Sequence, residues 1–397
     1  MKILIIHNYY KFRGGEDEVV DYEKKLLIKS GFEIVEYFKD NNNIKGIFYK
    51  IKILFNLFFS FSTFFEIDKI IKDKKPDLAH IHNIYPIISP SIYFVLKKYK
   101  IPIIHTIHNF RFFCSNGFCL KNGKICIKCE TNSIKNIFNI CSKEKKEYDF
   151  LLKIIIYITR LFNLFKKIDF FIVPSDFIKN KLLSIGISAS KVVIKRYSIE
   201  IPDRSSYLIR KDLLNYFIFV GRLSEEKGIT QLVDAFKLLD PIKLIVLGDG
   251  PLKEELIIKL KNENINNVQL MGYIKGEQKQ LFISKSLALI IPSIWFEIGP
   301  LTAVESLSLG VPIIVNNVGA TKEFLINNYN GFLYEADKAD SLRNVILKLI
   351  DMKEIDYYKL KAHSLIVFNK LFNEEKNFEI LVKLYKNQLK KNKVIEF

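Results

Sequence analysis

Residues 290–317 read IIPSIWFEIGPLTAVESLSLGVPIIVNN. An apolar run ends at Pro292-Ser293, a loop carries Glu297, and Gly299-Pro300 opens a helical pattern that stops at Gly310, before a second apolar run. A short buried strand, a helix and another short buried strand form the repeating unit of a parallel sheet. The first turn of such a helix leaves backbone N–H groups unpaired, here near Leu301 and Thr302, and its positive dipole end favours an anion. The turn therefore predicts a phosphate seat. Glu305, in the same helix, is placed to accept hydrogen bonds from a ribose diol while a diphosphate occupies the helix end. Glu297, on the loop, is placed to reach a sugar.

The same alternation extends in both directions. Apolar runs at 2–7, 32–38, 77–82, 101–106 and 169–173 predict five strands, and the pattern restarts with 215–221, 242–248, 267–272, 287–293 and 312–317. A chain of 397 residues also exceeds the roughly 250–300 that one core serves, so two domains are expected. The fold class is α/β, with two doubly wound domains. The boundary is expected near Tyr197 to Asp203, where Pro202 and polar residues interrupt the pattern. This gives a first domain over 1–197, a second over 198–375 and a C-terminal helix over 376–397 that returns to the first domain. Ligands of such sheets bind outside the carboxyl ends of the strands, so two facing halves create a cleft.

A second motif, FVGRLSEEKGITQLVDAF, spans 219–236. A strand ends at Gly221, and Arg222 and Lys227 flank the turn before a helix that begins near Gly228. Two cations at the carboxyl end of a strand neutralise a diphosphate leaving group, a role that otherwise falls to a metal ion. No metal cofactor is expected for catalysis.

Composition narrows the alternatives. At 49% hydrophobic and 26% charged the chain is globular. The net charge of +18 comes from lysines scattered along the whole sequence rather than gathered on one element, which argues against nucleic acid as a partner. It favours anionic substrates or an anionic lipid surface. The N-terminal KILIIH reads as a buried strand rather than a leader. The greasiest stretches, 44–67 and 151–168, are interrupted by Lys45, Lys50, Lys52, Lys153 and Arg160, so neither spans a membrane. A cytoplasmic location follows as an expectation. The 44–67 segment, rich in Phe with Lys on one side, reads either as an interfacial membrane helix or as a helix covering the core.

Five cysteines fall at 114, 119, 126, 129 and 141. An odd number in a reducing compartment argues against a disulfide framework. Asn122-Gly123 predicts a hairpin turn, closed by Cys126-x-x-Cys129. Two readings stay open: a structural zinc site of Cys114, Cys126, Cys129 and Cys141, with Cys119 left over, or buried free thiols.

Taken together, these motifs resemble the family-4 retaining glycosyltransferases of GT-B fold. The resemblance rests on the glutamate pair Glu297 and Glu305 around Gly299-Pro300 and on Gly221-Arg222 followed by Glu226-Lys227-Gly228. Further matches are Arg13-Gly14-Gly15-Glu16, Pro76 to His82, His108 in HTIHNFR, Val173-Pro174-Ser175 and Gly248-Asp249-Gly250-Pro251, so the likeness covers nearly the whole chain. Ser306 and Ala320 depart from the commoner Ala and Gly of the family and weaken the match little.

The resemblance implies a nucleotide-diphosphate sugar as donor, with Arg222 and Lys227 on the diphosphate, Glu305 on the ribose and Glu297 on the sugar hydroxyls. It places His108 near the anomeric centre, and Gly14 and Gly15 in a loop that approaches the donor phosphate or the acceptor. It further implies a Cys-bearing subset of the family, retention of configuration, and a glycan or lipid-linked acceptor in the building of a bacterial surface polysaccharide, with peripheral contact to the inner face of the membrane. Rival readings are another GT-B enzyme, a sugar-nucleotide epimerase or phosphorylase, and a non-enzymatic nucleotide-binding module.

Overall fold

A computed structural model describes residues 1–11, 14–43, 56–131, 133–139, 141, 146–200, 216–336, 338 and 340–394. Arg13, the first part of the 44–67 segment and the Pro202-Asp203 end of the expected boundary lie outside the described residues.

The first half carries β1 (Lys2–Tyr9), β2 (Glu33–Asp40), β3 (Leu78–Ile81), β4 (Ile103–Thr106), the hairpin strands β5 (Leu120–Lys121) and β6 (Lys124–Ile125), β7 (Phe170–Val173) and β8 (Val192–Ile194). The second half carries β9 (Tyr216–Val220), β10 (Lys243–Leu247), β11 (Val268–Gly272), β12 (Leu289–Ile291), β13 (Ile313–Asn316) and β14 (Gly331–Tyr334). Six strands form each main sheet, in the orders β2-β1-β3-β4-β7-β8 and β11-β10-β9-β12-β13-β14. Every pairing described within them is parallel.

Parallel sheets are covered by helices on both faces, which is why their strands read as continuous apolar runs. Ile3, Leu4, Ile5 and Ile6 of β1 are all buried. The two halves are Rossmann-like domains, as expected. The ten expected strands fall on β1–β4, β7 and β9–β13. The short strands β8 and β14, at the ends of the two sheets, are additions to that reading.

The chain separates into two compact units: Met1–Lys121 with Cys126–Ser198 and Glu374–Phe397, and Asn122–Ile125 with Ile199–Asn373. The C-terminal stretch holds two helices, Glu354–Leu371 and Glu374–Val394. The helix Glu354–Leu371 belongs to the second unit, where Tyr357 and Leu360 join the apolar core and the Tyr357 hydroxyl donates to Leu287 O at 3.0 Å. The helix Glu374–Val394 belongs to the first, where Leu381, Leu384 and Tyr385 pack with Ile3, Ile5, Leu78 and Ile104.

In an open parallel sheet the ligand crevice lies where the strand order reverses. In the first sheet this is between β1 and β3, and in the second between β9 and β12. The loops leaving those strands at their carboxyl ends hold the residues described next.

Candidate active site

In the second unit β9 leads into Gly221-Arg222 and β12 into Pro292-Ser293, so the two motifs flank one switch point. Glycines let these loops touch. Gly228 has φ +69° and a Cβ there would lie 2.0 Å from Pro292 O, while at Gly319 (φ +60°) it would meet the Glu297 nitrogen at 2.6 Å. Any side chain at either position would force the loops apart.

Glu297 and Lys227 meet across this join. Lys227 Nζ lies 2.8 Å from Glu297 Oε1, and the same oxygen accepts hydrogen bonds from Trp295 Nε1 at 3.0 Å and from Ser293 Oγ. Lys227 also sits over the Trp295 ring, 5.1 Å from its centroid. Glu297 is 3% exposed. Burial alone would raise its carboxyl, but the Lys227 charge and the hydrogen bonds from Lys227, Ser293 and Trp295 outweigh it and hold the pKa below the ordinary glutamate value. Glu297 is thus a buried, ionised carboxylate.

Arg222 pairs with Glu226, Nη2 to Oε1 at 2.6 Å, and Ser224 Oγ donates to the same carboxylate oxygen at 2.7 Å. The helix Leu301–Ser308 begins at Pro300, whose carbonyl takes the first helical bonds from Ala303 and Val304. The N–H groups of Leu301 and Thr302 therefore precede the helical ladder. Glu305 projects from the next turn and is ion-paired with Lys279 of the helix Gly276–Ser284 at 2.6 Å. Sequence reasoning singled out the four charged residues Arg222, Lys227, Glu297 and Glu305 but missed their partners Glu226, Ser293, Trp295 and Lys279. Only Glu226, Ser293 and Trp295 stood within the motifs already quoted.

In the first unit the carboxyl edge gathers histidines. Five of the chain's six, His7, His80, His82, His105 and His108, are buried there. His108 follows β4, and both of its ring nitrogens are engaged: Nε2 with His82 Nδ1 at 2.9 Å and Nδ1 with the Tyr197 hydroxyl at 3.0 Å. Burial holds the His82 and His108 pKa values well below the ordinary histidine value. A neutral ring has one donor and one acceptor, so the contact fixes complementary tautomers along the chain His82–His108–Tyr197. His108 lies at the expected edge but spends both nitrogens on neighbours. The sequence carried a signal for the others: histidines recur where β1, β3 and β4 end.

His7 Nε2 lies 2.8 Å from Asp17 Oδ1, and Asp17 Oδ2 accepts the Gly14 N–H at 3.0 Å, which ties the glycine turn to β1. Gly14 is extended at φ −139° and an added Cβ would meet nothing within 4 Å. Its glycine is thus required neither by a left-handed backbone nor by packing within the chain. Gly15 begins the helix Gly15–Lys29 and is exposed. Below this edge Glu23 accepts an ion pair from Lys195 at 2.6 Å and lies 3.3 Å from His80 Nδ1. Glu23, His80 and His82 approach closely enough to hold a metal ion, and the Lys195 ammonium pairs with one oxygen, Oε2, of that carboxylate.

The expected zinc ligands do not converge. Among the described residues no three of the thiols Cys114, Cys126, Cys129 and Cys141 come close enough to share an ion. Cys126 N–H bonds to Cys119 O across the hairpin at 2.8 Å, and the Cys114 thiol lies against both Cys119, left out of the expected set, and Cys129, within it. The hydrogen bond with Cys119 helps push the Cys114 thiol up to about 12. No disulfide joins any of the five cysteines.

Two Rossmann-like domains, one carrying paired cations beside a helix start at its switch point, define a nucleotide-handling α/β protein. Two family models match, Glycosyltransferase Family 4 over residues 30–194 and Glycosyl transferases group 1 over residues 204–362, and the chain belongs to this glycosyltransferase family of GT-B fold. It is therefore a glycosyltransferase. An uncharacterized glycosyltransferase of Methanocaldococcus jannaschii is 26% identical over 385 residues, 95% of each chain. The UDP-Gal:alpha-D-GlcNAc-diphosphoundecaprenol alpha-1,3-galactosyltransferase of Escherichia coli is 23% identical over 327 residues, 80% of this chain and 77% of its own length. Among solved structures, Anabaena HepE in complex with UDP matches with a TM-score of 0.67 at 14% identity, covering 98% of this chain and 100% of that one. At that identity the match speaks for the fold.

Proposed function

We propose that this chain transfers a glycosyl group, with retention, from a nucleoside-diphosphate sugar to a glycan or lipid-linked acceptor in the assembly of a bacterial surface polysaccharide. The observation that carries the reading is the join of Lys227 to Glu297 at the switch point of the second sheet. Arg222, Lys227 and the N–H groups of Leu301 and Thr302, opened by Gly299-Pro300, take the diphosphate. Glu305 takes the ribose. On Glu297 the three hydrogen bonds fall on Oε1, and we assign Oε2 to the hydroxyls of the donor sugar. The E. coli relative, named for a diphosphoundecaprenol-linked acceptor, and HepE, crystallised with UDP, support the substrate classes.

In the first domain Gly14 and Gly15 leave room for the acceptor at the crevice between β1 and β3. His108 acts there through the ring chain with His82 and Tyr197, which fixes the shape of that edge. Retaining hydrolases use two carboxylates about 5–5.5 Å apart to form a covalent intermediate. Here Glu297 is assigned to the hydroxyls of the donor sugar rather than to its anomeric carbon, so the acceptor attacks on the face the diphosphate leaves. The leaving phosphate takes the acceptor's proton as the new bond forms. Proton NMR of the fresh product tests this: the anomeric configuration of the donor is expected in the product, and an inverted anomer would reject the mechanism.

The enzyme works at the cytoplasmic face of a membrane. Phe61 and Phe65, one turn apart on the helix Phe61–Lys74, are 66% and 65% exposed, and Lys69 and Lys72 follow on exposed positions of the same helix. Aromatics beside lysines suit the interface of an anionic bilayer. Among the described residues no helix is long and apolar enough to cross a membrane. The protein is expected to float with anionic liposomes in a salt-sensitive manner, and F61S/F65S to lower the bound fraction severalfold. Flotation that is absent at low salt would remove the membrane reading.

A further inference from the structure

The single tryptophan of the chain stands where the two proposed donor contacts meet. Trp295 donates its Nε1–H to Glu297 Oε1 at 3.0 Å, and its ring lies under Lys227 Nζ at 5.1 Å from the centroid. Lys227 itself holds Glu297 Oε1 at 2.8 Å. The lysine is the more accessible partner, with its side chain 24% exposed against 4% for Glu297. A diphosphate brings two or more negative charges to an ammonium now shared between one carboxylate and an aromatic face. Charge-assisted bonds to phosphate are stronger than a cation–π contact, so the ammonium turns toward the phosphate.

This exchange endangers Glu297. A buried carboxylate that loses its neighbouring cation regains the full desolvation penalty and tends to take up a proton. Two donors remain on Oε1 once the lysine has turned away, the Ser293 hydroxyl and the Trp295 indole N–H. The indole N–H is a donor only, with no alternative role at that oxygen.

We propose that Lys227 exchanges partners when the donor binds, and that Trp295, with Ser293, is the positioning residue that keeps Glu297 ionised and aimed while the lysine is on the diphosphate. The inference rests on the assignment of Lys227 to the diphosphate given above. It adds a residue with no contact of its own to the reacting atoms. It also gives the enzyme an internal reporter, because departure of an ammonium from an indole ring changes the emission of that ring and the chain has no other tryptophan.

The test uses the full chain and whichever of UDP, ADP and GDP raises its melting temperature most. Saturation with that nucleotide is expected to change Trp295 emission in the wild-type protein, and K227M to abolish the change and weaken nucleotide binding. In W295F the affinity for the nucleoside diphosphate, which has no sugar, stays at the wild-type value. Transfer from the nucleotide sugar falls by about 10- to 100-fold, the cost of one hydrogen bond to a buried charge. Lys227, the charged group against Glu297 in the free enzyme, is on the diphosphate during transfer, so loss of the indole donor leaves the Ser293 hydroxyl alone on Oε1 and raises the Glu297 pKa. The acid limb of the W295F pH–rate profile therefore moves to higher pH, a displacement that mere loosening of the loop does not produce. Unchanged emission at saturation, in a protein whose K227M variant does lose nucleotide affinity, overturns the partner exchange. A W295F acid limb left in place overturns the role of Trp295. If K227M binds the nucleotide as tightly as wild type, it is the diphosphate assignment that fails instead.

Discussion

Replacing Lys227 with alanine is expected to lower sugar transfer by about 10²- to 10³-fold, the usual cost of removing one group that stabilises developing charge in a water-poor site. Two effects add. The leaving diphosphate loses a cation that grips it most strongly as the glycosidic bond breaks, and this lowers kcat. Glu297, 3% exposed, also loses the ion pair that keeps its pKa low. A stranded buried carboxylate is costly, so K227A should melt at a lower temperature, and E297Q added to it should recover part of the lost stability because the neutral amide needs no cation. Steady-state kinetics and thermal melts of K227A, E297Q and the double variant check this. Additive losses of stability would mean that the two side chains do not depend on each other.

The second large effect is acid lability of the first domain. Burial lowers the pKa of His80 to about 4 and of His105 to about 3, and holds His82 and His108 well below the ordinary value. In the unfolded chain each titrates near 6.5. Below that pH the unfolded state binds protons that the folded state refuses, so stability is full above pH 6.5 and is lost as the pH falls toward the folded values. For His80 alone the loss down to pH 4 is about 3 kcal/mol, at about 1.4 kcal/mol per unit. Glu23 acts in the same direction at lower pH. Burial opposes its ionisation, but Lys195 and His80 depress its pKa, and that contribution disappears as it protonates. His82, His105 and His108 are shifted in the same direction, so acid destabilises all four sites together. Hydrogen exchange read by mass spectrometry between pH 7 and pH 4.5 is expected to show peptides of β1, β3 and β4 losing protection before those of β9, β12 and β13. Equal protection of both sets at pH 4.5 would contradict it.

Much of the fold was legible because each buried strand must be apolar on both faces. Ile3 to Ile6 and Leu289 to Ile291 announce themselves. The strands that escaped, Val192–Ile194 and Gly331–Tyr334, lie at the ends of the two sheets, where a strand has a partner on one side only and is followed by polar or charged residues, Lys195-Arg196 and Glu335. The break before Glu374 is set by which core each C-terminal helix joins: Tyr357 and Leu360 on one side, Leu381 and Tyr385 on the other. Arg222, Lys227, Glu297 and Glu305 could be read from local motifs because phosphate binding demands particular groups at strand ends. Their partners Glu226, Ser293 and Trp295 stand in the same motifs, but contacts between distant segments leave no local signal. That Lys279 meets Glu305 depends on how two helices pack, and that Cys119, not Cys126, comes against Cys114 depends on hairpin register.

A crystal structure of the chain with its nucleoside diphosphate examines the central claim most directly. Phosphate oxygens are expected within hydrogen-bonding distance of Arg222, Lys227 and the backbone nitrogens of Leu301 and Thr302, with the ribose on Glu305. A nucleotide bound elsewhere, with Lys227 still on Glu297 and no anion at the start of the helix Leu301–Ser308, would contradict it.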